Sequence, residues 1–140
     1  MELVSLSVIC VVTGNEIHFY NENFTEEKYT KFVHGSNIKT LKYNEENNRF
    51  YISGDEKMIT TFSISRTGIA SNIDTFETSV KANICSFDLF PTIGTIVVVD
   101  EHNEVRLYDE TQRICYQTQN YSHIVKNENE KIKLLKTSKT

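Results

Sequence analysis

The sequence predicts an all-β chain of about three antiparallel units of four short strands, laid one after another. Three observations predict it. Runs such as "IKTLKY" and "FYIS" alternate apolar and polar residues with the period of a half-buried strand. Polar breaks part these runs: "NEENN" at 44–48, "DEKM" at 55–58, "PTIG" at 91–94 and "EHNE" at 101–104. A single apolar pattern also recurs along the chain at a nearly constant spacing, as in a repeat architecture.

The repeat is clearest around the turns. In "VVVDEHNEVRLYDE", residues 97–110, three valines lead into a polar turn and then into Val105, Tyr108 and Asp109. The same order of aliphatic, aromatic three residues on and small polar residue occurs at Ile59, Phe62 and Ser63, and at Ile17, Tyr20 and Asn21. An offset of 46 residues carries Ile38 to Ile84, Leu41 to Phe87, Tyr43 to Leu89, Phe50 to Ile96, Ile52 to Val98 and Phe62 to Tyr108, without a gap. Every column stays apolar. This register divides the chain into a partial unit at 1–29, full units at 30–75 and 76–121, and a lysine-rich tail at 122–140.

Units of this length with four strands match the blade of a β-propeller. A lone blade cannot cover its own two faces, so inner-strand aliphatics pack on the neighbouring blade. Tyr20, Phe62 and Tyr108, read as residues of the last, outer strand, are expected to seal the gaps between blades. The polar residue after each would turn the chain toward the next blade. Three blades fall short of the four to eight that typically close a ring. An open arc leaves apolar faces and strand edges that call for cover by a second copy, a partner protein or further blades.

These units resemble WD repeats. Tyr20-Asn21, Phe62-Ser63 and Tyr108-Asp109 stand where that family has its Trp-Asp pair. His34, four residues before Ile38, stands where the family has the His of its Gly-His pair, with Val33 in place of the Gly; Val80 is its counterpart one unit later. Gly14, Glu56 and His102 replace the Asp three residues before the last-strand aliphatic, so the family's buried polar network is expected to be mostly missing. Within the family the chain is most similar to the non-catalytic subunits of eukaryotic tRNA (guanine-7) methyltransferases. The matching residues are Asp55, Lys57 and Phe62 in "YISGDEKMITTF", Asp100, Val105 and Tyr108 in "VVDEHNEVRLY", and Val80 in "VKANICSFDL". Ala82 and Asn83 replace the basic pair expected there. The likeness covers residues 3 to 109. It implies a scaffold subunit that supports a catalytic chain in tRNA methylation, contact with tRNA through that complex, and a nuclear, intracellular setting; self-association is expected from the open blade edges instead.

Composition points to no chemistry of the chain's own. A net charge of -4 does not suit a surface that binds nucleic acid throughout. The five glycines are scattered singly, without a phosphate-binding loop. His18, His34, His102 and His123 lack metal-ligand spacing, and Cys10, Cys85 and Cys115 form no CxxC. His34 beside Ser36 reads as a hydrogen bonder at a strand entry. The acid pairs Glu26-Glu27, Glu45-Glu46 and Asp100-Glu101 fall in turns, where neither carboxyl is set up as a general acid. No catalytic, metal or cofactor-binding residue is assigned, no cofactor is expected, and no run is long enough to span a bilayer.

The alternative to the methyltransferase scaffold is a general WD-repeat protein–protein interaction module of another intracellular complex. Two rival readings from other classes remain. One is a small enzyme. The other is a secreted β-domain, in which "LVSLSVICVV" is a signal-peptide core, Asn23 and Asn120 are glycosylated, and Cys85 bridges Cys115. The odd cysteine count and the lack of Lys or Arg before the apolar run favour reduced thiols instead. In the tail, Lys126, Lys131, Lys133, Lys136 and Lys139 read either as a solvated terminus, as an RNA-contacting arm or as part of a cap for the open edge.

Overall fold

The computed structural model describes residues 9–20, 31–54, 56–64, 70–78, 82–124 and 132. They form an all-β structure of three antiparallel sheets. The first sheet joins β1 (Ile9–Thr13), β2 (Glu16–Tyr20) and β3 (Phe32–Val33). The second joins β4 (Ile38–Asn44), β5 (Arg49–Gly54), β6 (Met58–Ile64) and β7 (Ala70–Glu77). The third joins β8 (Ile84–Phe90), β9 (Thr95–Asp100), β10 (Glu104–Asp109) and β11 (Cys115–Asn120). Each sheet is a meander, in which every strand pairs with the next one along the chain.

The 46-residue register is a physical equivalence. Ile38 opposes Gly54 on β4 and β5, and Ile84 opposes Asp100 on β8 and β9. Leu41 faces Ile52 as Phe87 faces Val98, and Phe50 faces Phe62 as Ile96 faces Tyr108. Even the irregularities repeat: the pairing slips between Ile38 and Thr40, and again between Ile84 and Ser86. The turn after the first strand of each unit closes on a left-handed residue, Asn48 at φ 55° and Gly94 at φ 61°. Asn and Gly are the residues that reach this region at least cost.

The second sheet is the middle layer, because successive side chains of a strand point to opposite faces. Phe50 and Ile52 of β5 enter a cluster with Ile17, Phe19, Phe32 and Phe62, between the first and second sheets. Tyr51, between them in sequence, enters the other cluster with Ile59, Phe76, Ile84, Phe87, Leu89, Ile96, Val98 and Tyr108. That one lies between the second and third sheets.

Three expectations change. Phe62 and Tyr108 are fully buried between sheets, but on the third strand of their sheets, not the last; β7 and β11 follow them outside. On β2 the buried ring is Phe19, while Tyr20 is half-buried and stacks on His18 at 6.5 Å. The two-residue turn at Gly14 and Asn15 puts Ile17 and Phe19 on one face, and Tyr20 points to the other. Lastly, Asp109 does not lead to the next sheet. Its carboxylate accepts the amides of Thr111 and Gln112, closing the turn into β11 of the same sheet. Ser63 lies inside β6, and Asn21 falls outside the described residues. The strand Phe32–Val33, within the stretch read as the start of the second unit, pairs with β2 and completes the first sheet.

Candidate interaction sites between the sheets

The chain passes from one sheet to the next through a repeated set of hydrogen bonds. The amide of His34 donates to the carbonyl of Asn15 at 2.8 Å, and the amide of Ile38 to that of Gly14 at 2.8 Å. One sheet later the Thr78 hydroxyl donates to the carbonyl of Lys57 at 2.5 Å, and the amide of Ile84 to that of Glu56 at 2.8 Å. Gly14 and Glu56 each stand three residues before a buried aliphatic, Ile17 of β2 or Ile59 of β6. The turn of one sheet therefore anchors the first strand of the next, satisfying backbone groups that the crossing would otherwise bury unpaired.

At the first crossing a polar cluster has formed where the sequence suggested that little of one survived. His34 Nε2 pairs with Glu56 Oε1, and both side chains are largely shielded. The same oxygen accepts the Gly54 amide at 3.1 Å and faces the Ser36 hydroxyl at 3.3 Å. Glu56 thus gathers the His34 ring, the Ser36 hydroxyl and the Gly54 amide at one carboxylate oxygen. The chain fits tightly here: a Cβ on Gly54 would lie 2.0 Å from the Asn37 carbonyl oxygen and 2.6 Å from the Ser36 hydroxyl oxygen. In this cluster Ser36 is a donor to the shared carboxylate, and His34 is a structural partner of Glu56.

At the opposite edge, where the turn after β4 meets the turn after β10, a cleft of about 370 Å³ opens between the second and third sheets. Glu110 reaches across it. Its Oε1 accepts the Asn44 amide at 3.2 Å, the Asn47 amide at 3.0 Å and the Tyr51 hydroxyl. Burial, then the Glu110 carboxylate, push the Tyr51 phenol up to about 12. Arg49 donates to the Thr61 hydroxyl at 2.9 Å and the Asn72 carbonyl at 2.6 Å. Arg113 pairs with Asp74 at 2.5 Å and lies 5.6 Å from the centre of the Phe76 ring. Its hydrogen bond holds the Asp74 carboxyl below the usual carboxylate range. Glu110 and Arg113 make their bonds across the sheet boundary, while Arg49 bonds within the second sheet, so the cleft is built as a lock between layers.

None of these cleft residues was singled out from the sequence. Asparagine density in "NEENNR" marks a turn, but nothing local pairs that turn with Glu110, 66 residues beyond Asn44.

The other residues of interest are dispersed. Asp100 caps the turn into β10, accepting the amides of His102 at 2.8 Å and Glu104 at 3.1 Å. Tyr108 donates its hydroxyl to the Thr78 carbonyl, and burial raises its phenol to about 12. Ala82 is buried, and the Asn83 carbonyl accepts the Glu101 amide at 3.0 Å. Asp55, Val80, Asn23 and the five tail lysines lie outside the described residues.

The cysteines contradict the secreted reading at one point. Cys85 is on β8 and Cys115 on β11, the two opposite edges of the third sheet. Three strand spacings, about 14 Å, separate such edges, about twice the Cα separation a disulfide tolerates. Among the described residues no helix is long and apolar enough to cross a membrane. Neither a protein-family model nor a curated protein matches this chain.

Proposed function

We propose that the chain is a non-catalytic interaction scaffold, a partial β-propeller whose sheets are WD-like blades. The observation that carries the reading is a row of large exposed apolar residues, one on an outer strand of each sheet. Val33 on β3, Ile73 on β7 and Tyr116 on β11 are each more than half exposed. Each lies on the outer strand of its sheet. Ile114, at the entry to β11, is 57 % exposed as well. Apolar side chains beside unpaired strand edges, presented in series, fit a protein that docks along the rim. The regular crossing and register support the propeller reading, since they stack each sheet on the last in one way.

The partner class we propose is the catalytic chain of a tRNA guanine-7 methyltransferase. The resemblance of "YISGDEKMITTF" and "VVDEHNEVRLY" to turns of that enzyme's scaffold subunits supports it. The catalytic chain would supply the methyl-donor site, and tRNA would meet the scaffold only within the complex, in the nucleus.

Co-expression with such a catalytic chain tests the association. The two chains co-purify, and Ile73→Asp with Tyr116→Asp abolishes the complex while leaving this chain folded. Failure of the unaltered chain to co-purify removes the methyltransferase assignment. A complex that survives the double substitution removes the rim as its site.

A further inference from the structure

The three outer strands are not alike. β3 is two residues long, and β7 carries Asp74 and Glu77. Short strands and charged side chains are ordinary means of keeping an exposed edge from pairing with another chain. β11 has neither. Residues 114–122, Ile-Cys-Tyr-Gln-Thr-Gln-Asn-Tyr-Ser, carry no charge and no proline. One edge of β11 is bonded to β10, and among the described residues no strand pairs with the other. Residues 116–120 are all exposed.

The same stretch collects apolar surface at its two ends. Ile114 and Tyr116 are 57 % and 54 % exposed where β11 begins, and Ile124 is 57 % exposed just beyond its end. Turned end for end on a copy of itself, the strand is self-complementary. With the middle of the exposed run as the centre, Thr118 faces its own counterpart, Gln117 faces Gln119, and Tyr116 faces Asn120. Paired threonines and paired amides are favourable neighbours across strands, and no like charges meet. Ile114 and Tyr116 of one copy then lie beside the stretch leading to Ile124 of the other, so each end of the ladder gains apolar cover.

Such pairing also closes. The two copies present the same patch to each other about one two-fold axis. The opposite edge of the third sheet, β8, lies against β4 and β5 of the second, so the joined sheet does not grow further.

We propose that the outer edge of β11 pairs with the same edge of a second copy, antiparallel and centred on Thr118, joining two four-stranded sheets into one. The occupant is a second copy because the strand supplies both halves of the ladder. The pairing does not rest on the scaffold reading; a catalytic chain that docks at Tyr116 displaces the second copy.

Sedimentation velocity on the full chain alone, over a range of concentrations, tests this. The sedimenting mass rises from one chain to two as concentration increases. Gln117→Lys with Gln119→Lys sets lysine opposite lysine at two rungs and holds the protein at one chain, since like charges directly opposite destabilise a strand pair. Gln112→Lys, in the exposed turn before β11, leaves the dimer in place. Hydrogen exchange reads the same interface without a variant. Alternate amides of residues 116–120 exchange more slowly in the unaltered dimer than after dilution, and those of β7 do not change. A protein that stays at one chain at every concentration overturns the proposal, whether or not the double variant folds. A dimer whose slowed amides lie outside β11 overturns it as well. So does slowing that appears only when a different protein is added, which gives the edge to a partner strand.

Discussion

The amide of Ile84 donates to the Glu56 carbonyl at 2.8 Å, as the amide of Ile38 does to Gly14. One backbone contact thus ties the start of each sheet to the turn of the sheet before. Gly54, which opposes Ile38, lies hard against that crossing. Gly54→Ala drives its methyl into the Asn37 carbonyl and should cost about 1–3 kcal/mol, the usual range for an overpacked site. Gly35→Ala, with open space around it, should be nearly neutral by the same denaturation measurement.

Phe62→Ala and Tyr108→Ala should each cost about 3–5 kcal/mol, since each ring is buried between two sheets. Phe19→Ala belongs in the same range. Tyr20→Ala should lose less, its ring being only half-buried. Equilibrium denaturation of the four variants separates a column that includes Phe19 from one that includes Tyr20.

Much of this arrangement was legible in the sequence, and the reason is physical. A column such as Ile38 and Ile84 is held apolar by the same packing in each sheet, so the offset appears as a pattern of residue types. What was not legible depends on direction. Nothing in "EIHFYNEN" says whether Phe19 or Tyr20 turns inward; the short turn at Gly14 decides it. Nor could Glu56 be seen to meet His34, since that depends on reach across the crossing. The cleft at Glu110 joins turns remote in sequence, and no local signal pairs them.

Removing the shared acceptor at the first crossing gives a third test. Glu56→Ala strands the His34 ring and the Gly54 amide together. An unpaired shielded polar group costs about 1–3 kcal/mol. Glu56→Asp should recover part of the loss, because a shorter carboxylate still offers the charge. Full recovery by Glu56→Leu would show that the cluster contributes only packing.

Alkaline pH supplies a fourth. Tyr51 and Tyr108 titrate near 12 in the folded protein, above the ordinary tyrosine value of about 10. A folded value raised above the unfolded one means that the unfolded chain loses its protons first. Stability from these burials is therefore whole below about pH 10 and falls as pH rises toward about 12. Phenolate absorbance should show two tyrosines ionising late or together with unfolding. Tyr51→Phe should flatten the decline in stability over that window.

Thiol chemistry separates the cysteines. Burial raises the Cys10 thiol to about 11, so little thiolate is present near neutral pH. Cys10 should react more slowly than an unperturbed thiol in the folded protein, and denaturation without reductant should release three reactive thiols. A count of one, with Cys85 and Cys115 protected as a pair, would contradict their placement on opposite edges of the third sheet.

The scaffold reading is tested most directly by 7-methylguanosine formation in tRNA, measured for this chain alone, for a tRNA guanine-7 methyltransferase catalytic chain alone, and for the two together. The account predicts no methylation by this chain alone and a clear rise when it joins the catalytic chain, whose folded form it stabilises by binding. Methylation that is unchanged when this chain is omitted would contradict it.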